Sequence, residues 1–78
     1  MGRSKKIGDL ELLNAIAGSP DPVVTAPELS DKLGYSNDGV RNRLKELENQ
    51  NWVRSREVGS RAVVWWITTK GRDQLRNN

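Results

Sequence analysis

Between Thr25 and Trp52 the chain reads TAPELSDKLGYSNDGVRNRLKELENQNW, two helical segments separated by a glycine. The first has its beginning written into it. Thr25 can accept from the free N–H groups of a helix start, and Glu28, three residues on, can reach back to the Thr25 N–H. Pro27 falls in the first turn, where a missing donor is harmless. Leu29 and Leu33, one turn apart, are its expected buried residues. Gly34 ends the segment where a tight turn needs a positive φ. Ser36 then caps a second segment, in which Val40, Leu44 and Leu47 repeat at i, i+4 and i+7 and form one apolar face ending near Gln50.

The flanks fit around this pair. Residues 1–8 read as a flexible basic tail carrying Arg3, Lys5 and Lys6. A first helix is expected from about Asp9 to Ala17, with Leu10, Leu13 and Ala17 at i, i+3 and i+7, widened by Leu12 and Ile16. Gly18 is placed to close it in a left-handed conformation, and Ser19-Pro20-Asp21-Pro22 forbids continuation. Val23 and Val24 form an extended segment that can add a stub of edge strand. After Asn51 the period changes from 3.6 to 2. Residues 52–58 and 62–67 are β-rich runs joined by Gly59-Ser60-Arg61, a hairpin. Trp65 should share the core face with Val63 and Ile67, and Trp52 should seal the end of the third helix. Trp66 then points the other way, towards solvent, the first or last helix, or a partner. Thr68 can cap a short final helix to about Arg76, with Leu75 turned inward. The expected class is α+β and mostly α: three core helices, a two-stranded hairpin with room for a short third strand, and a C-terminal helix, over residues 9–78.

Composition narrows the chemistry. The 78 residues contain neither cysteine nor histidine. Those zeros remove the usual zinc ligands, disulfides, the Ser/His and Cys/His nucleophile pairs and the commonest general base. No glycine-rich phosphate or dinucleotide loop occurs, and no two carboxylates share a plausible cleft, so an enzyme is not expected and no cofactor or small-molecule ligand is implied. With no apolar run of membrane length and no signal-peptide core, a soluble, intracellular protein is the expectation. Net charge is +3. Its distribution is uneven: residues 7–40 set Lys32 against Asp9, Glu11, Asp21, Glu28, Asp31 and Asp38, whereas residues 41–78 hold nine Lys/Arg against four acids. Scattered charge is ordinarily a solubilising surface, but here the basic half coincides with the second helix of the pair and the hairpin.

Ser30, Gly34 and Val40 have the spacing of a small residue at a helix crossing, a turn glycine and a β-branched plug. With Leu29, Leu33 and Leu44 filling in, this resembles the helix-turn-helix pattern. With the hairpin, the chain resembles the winged helices of MarR-like and ArsR-like regulators of bacteria and archaea. The resemblance spans about residues 9–76 and is strongest in LSDKLG, VRNRLKELE, WV and ITTKGRDQL. Gly39 departs from it, since helix formers or Thr are more usual there. The resemblance implies a transcriptional regulator, cytoplasmic and nucleoid-associated, that binds double-stranded DNA. Its third helix, about residues 37–50, would lie in the major groove and its wing on the adjacent minor groove or phosphates.

Helical geometry names the candidate contacts. At about 100° per residue, Asp38, Arg41, Asn42 and Lys45 lie on the arc opposite Val40, Leu44 and Leu47. Arg43 falls nearer the core, where pairing with Glu46 or another acid competes with DNA. Arg41 can donate two bonds to guanine and Asn42 can read adenine. Ser36 and Asn37 can donate to phosphate or a base edge, and Lys45 to phosphate. Asp38 either accepts from cytosine or orients Arg41 or Asn42, and Gly39 either lets a phosphate approach the backbone or has no role. Arg61 at the hairpin tip is the wing contact implied by the resemblance. Arg54 and Arg56 share a strand face; Arg56 extends the patch, and both also suit an edge strand that discourages aggregation. A lone domain makes few base contacts, so a homodimer through the first and last helices is a candidate arrangement. The competing reading is a winged-helix protein-interaction module without specific DNA binding.

Overall fold

Three of the four helices begin where a side chain satisfies an orphan amide, while the first, entered from Gly8, has no side-chain cap. In the computed structural model, which describes residues 8–60 and 62–76, the order is α1 (Asp9–Ala17), α2 (Ala26–Leu33), α3 (Asn37–Asn49), β1 (Val53–Val58), β2 (Ala62–Ile67) and α4 (Thr69–Arg76). Most of the expected basic tail, and Arg61, lie outside the described residues. At α2 the capping box is complete: the Thr25 N–H donates to Glu28 Oε1 at 2.8 Å, and the Glu28 N–H donates to Thr25 Oγ1 at 3.3 Å. Ser36 Oγ accepts from the Gly39 N–H at 3.1 Å to start α3, and Thr68 Oγ1 accepts from the Gly71 N–H at 3.0 Å to start α4.

The helix ends correct one expectation. Gly18 has φ −87° and ψ 0°, outside the left-handed region. Its amide donates to the Asn14 carbonyl and that of Ser19 to Ile16, so α1 finishes by tightening its last turn before Pro20. Gly34 does take φ 80° and donates to the Ser30 carbonyl at 2.8 Å. The other left-handed end belongs to Asn51, at φ 67°. There the Trp52 N–H reaches the Leu47 carbonyl and the Asn51 N–H the Glu48 carbonyl, a Schellman pair that turns the chain from α3 into β1.

β1 and β2 pair antiparallel, with Val53 opposite Ile67, Ser55 opposite Trp65 and Arg56 opposite Val64. Val24 bridges Trp65 on the other side of β2 through two backbone bonds of 2.9 and 2.7 Å, so the expected third strand is a single bridged residue. The core gathers Leu12, Leu13 and Ile16 of α1, Leu29 of α2, Val40, Leu44 and Leu47 of α3, and Val53, Trp65 and Ile67 of the hairpin. Two calculated faces shift slightly. Leu12 and Leu13 are the fully buried residues of α1, while Leu10 and Ala17 are only half-buried, because α1 packs against α2, β2 and α4 together. Leu33, the last residue of α2, is also only half-buried.

α4 is fastened to the α3–β1 junction. The Thr68 N–H donates to the Trp52 carbonyl at 3.0 Å, and Thr68 Oγ1 lies 2.7 Å from the Asn51 carbonyl. Gly71 packs so closely over this junction that a Cβ there would sit 2.1 Å from the Trp52 carbonyl oxygen. Trp52 is half-buried against the core, and Leu75 packs on it as expected. Trp66, on the opposite face from Trp65, is half-buried in a groove of about 330 Å³ beside Ile16, Ala17, Pro20, Pro22 and Arg72. No helix among the described residues is long and apolar enough to cross a membrane.

Candidate nucleic-acid interface

The α2–α3 turn sets the direction of α3, and three links hold it. Ser30 donates its hydroxyl to the Tyr35 carbonyl, closing the turn at the position expected for a small residue. The Tyr35 hydroxyl donates to Glu11 Oε1 of α1 at 3.0 Å. That bond to the Glu11 carboxylate, helped by partial loss of solvent, raises the Tyr35 phenol above its ordinary pKa. On the flank of α3, Arg43 pairs with Asp9 of α1 and with Glu46 one turn on. Arg43 is therefore committed to holding α3 against α1, and its Nε has no partner among the described residues.

With the apolar line buried and Arg43 engaged, the remaining arc of α3 is exposed. Arg41 is 52 % exposed and lies 3.8 Å from Asp38, a loose pair that keeps the guanidinium at the helix surface. Asp38, 89 % exposed, is itself open to solvent beside Arg41. Asn42 is exposed on the same arc, as are Ser36 and Asn37 at the N-terminus, while Gly39 is half-exposed. The Ser36 oxygen caps α3 but leaves its hydroxyl proton for another acceptor.

An open groove of about 750 Å³ runs between this arc and the hairpin. Asn37, Arg41, Lys45 and Glu48 line its α3 wall, and Ser55, Glu57, Val63 and Trp65 its hairpin wall. Thr25, Ala26 and Pro27, the start of α2, close one end. Arg56 also borders the groove, although its ladder position puts it on the other sheet face, with Arg54. Arg54 and Arg56 are both exposed. The groove therefore unites Asn37, Arg41, Lys45 and Arg56, while Asp38 and Asn42 stand outside its walls on the far side of the arc. Arg61 lies outside the described residues.

Sequence reasoning missed Thr25–Pro27, Glu48 and Glu57 as parts of this site. Glu48 was accessible to it: at about 100° per residue it falls between Asn37 and Arg41 on the helical wheel. Glu57 needed the register of the hairpin, and Thr25–Pro27 the packing of α2 beside it. Chemically, the groove offers guanidinium, ammonium and amide donors suited to phosphates and base edges. No group of three or more His, Cys, Asp or Glu side chains able to hold a metal occurs among the described residues.

The architecture has known counterparts. It superposes on MarR from E. coli with a TM-score of 0.79 at 21% identity, covering 88% of this chain and 51% of that one. The regulator BldR from Sulfolobus solfataricus matches with a TM-score of 0.76 at 22% identity, over 88% and 49% of the two chains. FabT from Streptococcus pneumoniae, solved in complex with DNA, gives 0.75 at 22% identity, over 88% and 48%. The chain thus spans about half the length of these relatives. No curated protein sequence is significantly similar to it. The sequence profile of the MarR family matches residues 7–62, from the approach to α1 through β1 to the start of β2. On that match, and with the winged-helix fold that α1–α4 and the hairpin build, the chain belongs to the MarR family.

Proposed function

We propose that the chain binds double-stranded DNA as the reading module of a transcriptional regulator. The observation that carries this is the exposed arc of α3 facing a hairpin across an open groove, with Arg43 withdrawn into ion pairs while Arg41 and Lys45 are exposed. α3 enters the major groove by its N-terminal half. Arg41 donates to guanine O6 and N7, Asn42 reads adenine, and Asp38 orients Arg41. Ser36, Asn37, Lys45 and the Gly39 backbone approach phosphates or base edges. Arg56 and Arg61 carry the hairpin onto the neighbouring backbone or minor groove. No bond is made or broken; affinity comes from phosphate neutralisation and a few base contacts. FabT's complex with DNA supports the reading. A homodimer through α1 and α4 doubles the contacts on a two-fold symmetric site.

Selection of duplexes from a random pool tests this. The expected product is a palindromic motif whose half-sites are about 10 bp apart, bound at least about a thousandfold more tightly than random duplex. Recovery of no motif, with binding no tighter than to an unrelated polyanion, would leave the fold as a protein-interaction module instead.

A further inference from the structure

Glu48 is an acid placed where a polyanion is proposed to bind. It lies on the arc of Asn37 and Arg41 and lines the same groove, where a free carboxylate would repel phosphate. Its bonding explains its presence. Oε2 accepts from the Ser55 backbone N–H at 3.1 Å and from the Ser55 hydroxyl at 2.9 Å.

Ser55 sits on the outer edge of the hairpin. Its ladder partner Trp65 turns its amide and carbonyl away from β1, to Val24. In an antiparallel ladder the partner does likewise, so the Ser55 amide also points away from β2, where no strand can satisfy it. Glu48 supplies the acceptor. Among the described residues these are the side-chain hydrogen bonds joining α3 to the hairpin; the backbone turn at Asn51 and core packing make up the rest of the junction. Apolar packing is non-directional, whereas two bonds to one oxygen fix an angle. The leverage is considerable. From Ser55 to the turn at Gly59 is about 13 Å at about 3.3 Å per residue, so a pivot of about 10° moves the turn by about 2 Å.

We infer that Glu48 is a positioning residue for nucleic-acid binding: its carboxylate sets the pitch of the hairpin against α3, so that Arg56 and the Arg41–Lys45 stripe meet one duplex together. This rests on the proposed DNA reading. The carboxylate's cost in repulsion is accepted because the Ser55 N–H on the hairpin edge demands an acceptor at that place.

Two substitutions separate the strut from the charge. Glu48→Gln removes the charge and keeps an acceptor oxygen, while Glu48→Ala removes both. In the free protein, Glu48→Ala should speed hydrogen exchange of the Ser55 amide about tenfold or more and rotate the hairpin's residual dipolar couplings relative to α3, while Glu48→Gln leaves both near wild type. On a selected duplex, Glu48→Gln should bind at least as tightly as wild type. Glu48→Ala should bind about tenfold more weakly than Glu48→Gln, with a salt slope smaller by about one phosphate contact. Ser55→Ala, which keeps the charge and the backbone bond, should fall between wild type and Glu48→Ala, and it decides the matter if Glu48→Ala does not fold. Equal affinities and slopes for the two Glu48 variants, with unchanged couplings, would overturn the inference. If wild type binds no duplex, the DNA reading and the nucleic-acid half of this inference fail together. The exchange rates and couplings would then decide separately whether Glu48 holds the hairpin.

Discussion

Arg41 and Arg43 are the same side chain two positions apart, and their surroundings separate them. Arg43 turns towards α1 and is taken by Asp9 and Glu46; Arg41 turns outward and, among the described residues, has only Asp38, at 3.8 Å. An exposed pair of that kind is worth about 0–1 kcal/mol, so Arg41 can exchange its partner for a base at little cost. On a selected duplex, Arg41→Ala should relax preference at one base pair by about 1–3 kcal/mol, measured by competition with single-position variants of the site. Equal weakening on every sequence would make Arg41 a phosphate contact instead. Gly71 gives a second test at this scale, because any Cβ would collide with the Trp52 carbonyl. Gly71→Ala should lower stability in urea denaturation by about 1–3 kcal/mol; an unchanged midpoint would mean that α4 shifts freely. The helical wheel made the first of these residues legible in sequence, since α3 is regular and its apolar line unambiguous. The constraint at Gly71 was not legible, because its close neighbour lies nineteen positions earlier in the chain.

At the level of elements, helix starts were readable and helix ends only partly so. The caps at Thr25, Ser36 and Thr68 each operate within three residues, so the sequence carries the whole interaction. Thr25→Ala should cost about 1 kcal/mol in thermal or urea unfolding, and no loss would remove the capping box from the account of α2. Ends depend on where the chain must go next. Val24 has to reach β2, so α1 closes without a left-handed residue, and β1 has to leave α3 sharply, so Asn51 takes one. The inward face of α1 lies part of a turn from the expected one for a related reason: three elements press on it, and only one is adjacent in sequence. The bond from Tyr35 to Glu11 ties the turn to α1 and makes a pH prediction. Because the folded phenol is raised above its unfolded value of about 10, this bond stabilises fully below about pH 10 and is lost as pH rises through the raised value. Stability curves of wild type and Tyr35→Phe should therefore converge above pH 10; parallel curves would show that the bond contributes nothing.

Across the whole molecule, charge follows architecture. The acids of residues 7–40 belong mainly to α1, α2 and their connections, and the cations of residues 41–78 to α3, the hairpin and α4. Folding brings Arg41, Lys45 and Arg56 around one groove and leaves Asp21, Glu28 and Asp31 exposed elsewhere. On the proposed reading, such an arrangement orients the molecule towards a polyanion before contact. The fold class was readable because the α2–α3 pair and the change of period at Asn51 are local signals. The groove was not, because its two walls are brought together by the packing of α3 on β1 and by the Glu48–Ser55 bonds, neither of which is a local signal. The central claim is that this groove and the adjoining arc of α3 bind duplex DNA through its phosphates and bases. A salt titration of wild-type binding to duplex DNA, followed by fluorescence anisotropy, tests it most directly. A steep negative slope of log K against log salt is predicted, reduced by about one in Lys45→Ala; a flat slope, unchanged by that substitution, would contradict it.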